Sequence, residues 1–248
     1  MRRYTCLVML LLASANAGAF TAAELAAKNV AAKGGAEQLA AVHALRLSGK
    51  LRLHGGALEL GFVASLARPG SIRYEAALQG LTRVQAYDGH EAWQINPFQG
   101  RKDPERLSAD DATELAESAA DFLGALVDYE AKGYKLDYLG TEDIDGTAAH
   151  KLRVTRPSGN LSYVYLDPEY FLEIRTIDRR IRRGVPEETV TDYGDYEKVA
   201  GVFFALAQES GPKDSSERRR LQVEKAEANL GLDAALFHFP APAGAAQH

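Results

Sequence analysis

The chain has 248 residues, 46% of them hydrophobic, with 34 acidic against 29 Lys and Arg side chains and a formal charge of -5. That length allows a sizeable core in one domain, and the acidic balance argues against a general nucleic-acid binder, which needs a net basic surface. The single cysteine, Cys6, excludes a disulfide framework and a cysteine metal site.

Arg2 and Arg3 precede an apolar run, Leu7 to Ala13, and a small-residue pattern follows at Ala15–Ala17 or Ala17–Ala19. This reads as a secretory signal peptide over residues 1–19. The run is well short of the ~20 residues of a membrane-spanning helix. Cleavage would remove Cys6, which precedes the run and so cannot serve as a lipidated N-terminal anchor. A single domain is expected over 20–240, with 241–248 as a loose tail.

Thr21 to Glu24 reads as a capping box, with Leu25, Ala26, Val30 and Ala31 following at helical spacing. Gly34-Gly35 interrupts the helix, and Ala36 to Val42 can form a further helical piece. From Leu45 the period becomes two: Leu45, Leu47, Gly49, Leu51 and Leu53 alternate with Arg46, Ser48, Lys50, Arg52 and His54. That alternation predicts a half-buried strand. Leu58, Leu60, Phe62, Ala64 and Leu66 predict the next strand, and Ile72, Tyr74, Ala76 and Leu78 a third.

Thr82 to Tyr87 reads as a strand entering an Asp88-Gly89 hairpin turn. His90 to Ile95 is its return strand, which sends His90 and Glu91 to opposite faces. Trp93 is expected to face whatever the sheet encloses. Ser108 then caps a helix reaching Leu126, with Asp110 and Asp111 in its first turn. Its apolar stripe includes Ala112, Leu115, Ala119, Phe122 and Leu126, with Glu114, Glu117 and Asp121 on the other side. Further strands are predicted at 134–140, 147–156, 161–166, 171–181, 187–199, 202–210 and 217–229. Their short turns require antiparallel pairing, since parallel pairs need long crossovers.

No catalytic signature or zinc-site spacing is present, and the six histidines are scattered. No cofactor, metal ligand or catalytic residue is therefore assigned. The run Arg179, Arg180, Ile181, Arg182 and Arg183 reads either as a charged edge strand or as a contact patch for an acidic partner.

Several stretches together resemble the outer-membrane lipoprotein-sorting, LolA/LolB-like superfamily. They include "AAKGGAEQLAAVHALRLSGKLRL", "FVASLARPGSIRYEA", "AYDGHEAWQINPFQG", the central run from "LVDYEAKGYKLDYLG" to "YLDPEYFLEI", "DYGDYEKVAGVFF" and the closing "LFHFP". One departure is Phe203-Phe204, where such proteins often carry a proline. The resemblance implies an α+β, mainly antiparallel fold: a strongly curved, incomplete β-barrel with helices over its concave apolar face. It implies a non-catalytic periplasmic carrier, expected to be monomeric, that binds lipid or lipoprotein acyl chains. Such a carrier would work between an inner-membrane donor and an outer-membrane acceptor. The expected cavity lining is Leu47, Leu51, Leu60, Phe62, Tyr74, Trp93, Leu115 and Phe122, with helix 108–126 as a lid. The alternative is an envelope interaction or sensor module using the arginine run without lipid transfer.

Overall fold

The computed structural model describes residues 20–240, so the expected signal peptide and tail lie outside the described residues. Two short helices open the chain, α1 (Ala22–Ala32) and α2 (Ala36–Ala41). The capping box forms: the Thr21 hydroxyl accepts the Glu24 N–H at 3.2 Å, and the Glu24 carboxylate accepts the Thr21 N–H at 2.8 Å.

Six strands follow: β1 (Ala44–Leu53), β2 (Leu58–Ala67), β3 (Ser71–Leu78), β4 (Leu81–Tyr87), β5 (Ala92–Asn96) and β6 (Arg101–Arg106). Helix α3 (Ala109–Ala120) comes next. Seven more strands close the chain: β7 (Lys135–Ile144), β8 (Thr147–Thr155), β9 (Leu161–Leu166), β10 (Glu173–Arg182), β11 (Val185–Val199), β12 (Val202–Pro212) and β13 (Arg219–Ala228).

All of these strands form one curved, open sheet in the order β6-β5-β4-β3-β2-β1-β13-β12-β11-β10-β9-β8-β7, with antiparallel neighbours throughout. The mainly antiparallel architecture with few helices is the expected one, and the sheet stays open because β6 and β7 are unpaired edges. The topology explains where α3 lies. The chain walks from the middle of the sheet to the β6 edge, crosses, and returns from the β7 edge until β13 pairs with β1. The crossing segment carries α3, which packs on β3, β4 and β5.

The face of the sheet beneath α3 is aliphatic where the period-two pattern placed it. Leu45 opposes Leu66 and Leu47 opposes Ala64, and Leu45, Leu66 and Ile72 are buried with Leu39, Leu115 and Leu123. A second cluster lies under α1, where Leu25 and Leu126 meet Leu152, Val154, Val164 and Leu166. Strands β1 and β13 approach closely at Gly49, where a side chain would collide with the Gln222 carbonyl oxygen.

Three local expectations are revised. Helix α3 ends at Ala120, and Gly124 turns the chain at φ +109°, where a side chain would sit 2.7 Å from Lys33 Nζ. Phe122 to Leu126 is therefore a compact turn that still lowers its apolar side chains into the core. Strand β6, sequence RKDPER, went unforeseen because its polar side chains and proline carry no alternation; those traits suit an edge strand. Finally, Asp88 to Glu91 is a four-residue loop and not a two-residue turn. Asp88 Oδ1 accepts the N–H groups of His90 and Glu91, both at 2.9 Å, so the return strand begins at Ala92.

Candidate functional site

A cleft of about 350 Å3 lies between the sheet and the α3 segment. One wall is apolar, formed by Leu45, Leu47, Phe62 and Tyr74 of the sheet with Phe122 and Leu123 above them. The opposite wall is polar and comes from the second half of the sheet. It carries Thr176, Tyr193, Tyr196 and Gln208, with the Lys33–Glu173 pair at its base. Lys33 Nζ stands 2.9 Å from Glu173, and both side chains are almost fully buried. Burial opposes ionisation of Glu173, yet the Lys33 charge prevails and lowers its pKa. Burial also raises the Tyr193 and Tyr196 hydroxyls far above their ordinary range. The phenol of Tyr193 bonds Thr176 at 3.1 Å, and that of Tyr196 donates to the Glu173 carbonyl at 2.8 Å. The cleft thus sets a hydrocarbon wall against one that carries neutral hydroxyls together with charged groups, Lys33, Glu173, Asp178 and Arg180 among them.

Helix α3 is held down differently on its two sides. Leu115 and Ala119 are buried against the aliphatic half of the sheet. The acids Asp111, Glu114, Glu117 and Asp121 follow one another at three- and four-residue spacing, so they share a face. That face meets cations of the second half. Arg182 pairs with Asp111. Arg180 pairs with Glu114 at 2.7 Å, and Arg156 pairs with Asp121 at 2.8 Å. Asn160 donates to Glu117 at 3.0 Å, and Lys132 binds Asp121 at 2.9 Å. Burial works against the Arg156 charge, but Asp121 outweighs it and raises its pKa. Burial lowers that of Lys132, outweighing Asp121.

Of the expected lining residues, the structure brings Leu47, Phe62, Tyr74 and Phe122 to the cleft wall. Leu51 and Leu60 oppose each other farther along β1 and β2, outside the cleft. Leu115 is buried helix-to-sheet packing with 6% exposure. Trp93 must be corrected outright. It shares a face with Ala86, Val84 and Ile95, opposite to that of Ala92 and α3, and packs there against Phe239. Its indole N–H donates to the Phe237 carbonyl at 2.8 Å. The C-terminal segment covers Trp93, so a face that period two left undecided was settled by a distant piece of chain.

The arginine run is also reassigned. In a strand its members alternate, so Arg180 and Arg182 point inward to α3 while Arg179 faces outward 3.9 Å from Glu188. The Arg183 N–H donates to Asp110 at 3.0 Å. Three of the four guanidiniums are thus paired within the chain, two of them with α3. The acidic side of α3 is the partner of those two. Sequence reasoning missed the polar wall and Arg156. The spacing of the α3 acids and the alternation of the arginines were the available signal. Among the described residues, no cluster of His, Cys, Asp or Glu could hold a metal, and no helix is long and apolar enough to cross a membrane.

The open antiparallel sheet with a crossing helix is an architecture shared with solved LolA-like structures. Compared by sequence, the chain matches no family model and no curated protein. Solved structures share its architecture. A LolA superfamily protein from Nitrosomonas europaea is similar with TM-score 0.60 and 14% identity, over 89% of this chain and 98% of that one. A domain assigned as an outer-membrane lipoprotein-sorting protein, from Vibrio parahaemolyticus, gives 0.57 and 13% over 86% and 94%. A DUF1329 family protein from Desulfovibrio piger gives 0.54 and 13% over 88% and 95%.

Proposed function

We propose that this protein is a non-catalytic carrier that takes an acyl chain of a lipid or lipoprotein into the cleft under α3 and passes it on in the periplasm, toward the outer membrane. The observation that carries this reading is the apolar wall of Leu47, Phe62 and Tyr74 facing Phe122 across about 350 Å3 of space. A packed core would close such a volume, since interiors leave few voids larger than a water molecule. The cleft lies within the ~300–1,000 Å3 range of small-ligand pockets. The fold shared with lipoprotein-sorting proteins supports the same reading.

In this mechanism an acyl chain displaces the Phe122 segment from the apolar wall while the charged side of α3 keeps the helix attached. Hydrocarbon contacts are undirected, so a partner that covers the chain better can remove it without covalent chemistry. The interaction-module alternative loses its main support, because Arg180 and Arg182 are paired with α3.

Native mass spectrometry with lipid extraction, on protein purified from periplasm without detergent, tests the proposal. A stoichiometric lipid or acylated peptide is the expected result, and Phe122→Asp should abolish it while the protein stays folded. An empty protein that also ignores fluorescent fatty acids would overturn it.

A further inference from the structure

Across the middle of the sheet, the floor of the cleft passes from hydrocarbon to polar in adjacent strands. Phe62 of β2, Leu47 of β1, Leu221 of β13, Gln208 of β12 and Tyr193 of β11 all line it, and these strands are consecutive neighbours. In the register Leu221 stands opposite Gln208, and Gln208 opposite Tyr193. Opposed residues point to the same face, so Gln208 has a leucine on one flank and a phenol on the other. It is the boundary between the two surfaces.

The charged side chains at the cleft are already engaged. Lys33 pairs with Glu173, Arg156 with Asp121 and Arg180 with Glu114. Asp178 accepts the Ser162 hydroxyl, and Glu117 accepts from Ser158 and Asn160. Four acids, Glu117, Asp121, Glu173 and Asp178, line the cleft against three bases, Lys33, Arg156 and Arg180, so the lining does not call for an anion. The Nε atoms of Arg156 and Arg180 lack partners but are buried out of reach of the open space.

The neutral groups are not used up. Tyr196 donates its hydroxyl to Glu173, and the hydroxyls of Tyr193 and Thr176 share one bond at 3.1 Å. That pair carries two protons and spends one on the shared bond, which leaves a donor for a ligand. A carboxamide offers two donors and an acceptor, and among the described residues the Gln208 side chain has no hydrogen-bond partner. A ligand group that covers Gln208 must therefore both donate and accept, or it leaves a polar atom unpaired and out of water. An amide does both, whereas an ester only accepts.

We propose that Gln208 makes the cleft selective for an amide-linked acyl chain. The hydrocarbon lies over Leu221, Leu47 and Phe62, and Gln208 with the Tyr193–Thr176 hydroxyls holds the amide group. Ligand pockets commonly work in this way, with apolar walls for affinity and a few placed polar groups for orientation and specificity. This rests on the carrier reading above and adds the linkage that the carried chain bears.

The test is titration calorimetry on delipidated mature protein with N-methyloctanamide, methyl octanoate and octanoate. Without a partner for its N–H the amide would bind more weakly than the ester, because it costs more to take out of water. The amide should instead bind tighter than the ester by about threefold or more, and tighter than octanoate. Gln208→Met keeps the side-chain length and removes the hydrogen-bonding groups. It should weaken the amide by about tenfold or more and leave the ester within about twofold. An ester that binds within about threefold of the amide, or tighter, would overturn the selectivity and leave the carrier reading standing. Octanoate binding tightest, or a variant that weakens amide and ester alike, would do the same. If the variant unfolds, the order of amide and ester on the unaltered protein still decides. If none of the three binds, the carrier reading itself fails and this assignment with it.

Discussion

The two halves of the sheet hold the same helix by opposite means. Strands β1 to β6 offer α3 hydrocarbon, and Leu115 and Ala119 are buried there with Ile72 and Ala92. Strands β7 to β13 offer it charge, through Arg156, Arg180 and Arg182. The first contact is undirected and can be replaced by a ligand chain. The second is directional, because a displaced carboxylate must find another donor. In the carrier mechanism proposed above, such a helix would lift on its apolar side while the ionic side acts as the hinge.

The sharpest way to break this comparison is Arg156→Ala. Both Arg156 and Asp121 are largely buried, and removing the guanidinium leaves Asp121 with Lys132 and Tyr134 as its remaining donors. A loss of about 3–5 kcal/mol is expected, as for one member of a buried pair. Denaturant unfolding reads it, and a loss below ~1 kcal/mol would mean that the charged half does not hold the helix.

Trp93→Phe sharpens the assignment of faces. It leaves the Phe237 carbonyl without its donor, at an expected cost of about 1–3 kcal/mol. Ligand loading should not change, since Trp93 lies on the far face; altered loading would contradict that placement.

Acid should loosen the charged half first. The folded pKa of Glu173 is lowered, so its stabilising contribution is complete above the unfolded value of ~4.3 and is lost as pH falls through the folded one. Thermal melts from pH 7 to 3 should show a decline at the acid end that Glu173→Gln flattens. The same decline in the variant would assign it elsewhere.

The smallest effect is expected for Arg180 with Glu114. Glu114 is 44% exposed, so solvent screens the pair. A double-mutant cycle should give a coupling of about 0.2–1 kcal/mol. A coupling several times larger would make this pair the dominant clasp of α3.

Much of the fold was legible in local pattern. The alternation from Leu45 to Leu53 placed β1 with its inner face, and Thr21 and Ser108 marked the helix starts. The antiparallel connectivity followed from the short turns. These features rest on periodicity and capping, which act within a few residues. The resemblance added the open, curved sheet and the covering helix. Strand β6 escaped notice because an edge strand needs no apolar face. Of the expected lining, Leu47, Phe62, Tyr74 and Phe122 reach the cleft wall, since an aliphatic face under an amphipathic helix is a local property of each partner.

What the sequence could not decide was which face each charge and each aromatic would meet. Trp93 points away from α3 because Phe237 and Phe239 return to cover it, 144 residues on from the indole to its acceptor. Arg180 and Glu114 lie 66 residues apart, and only the crossing between the two sheet edges brings them together. Period two fixes that neighbours face opposite ways but not which face becomes the interior. That choice belongs to the packing of distant segments, and here it set a charged run against the acidic face of α3.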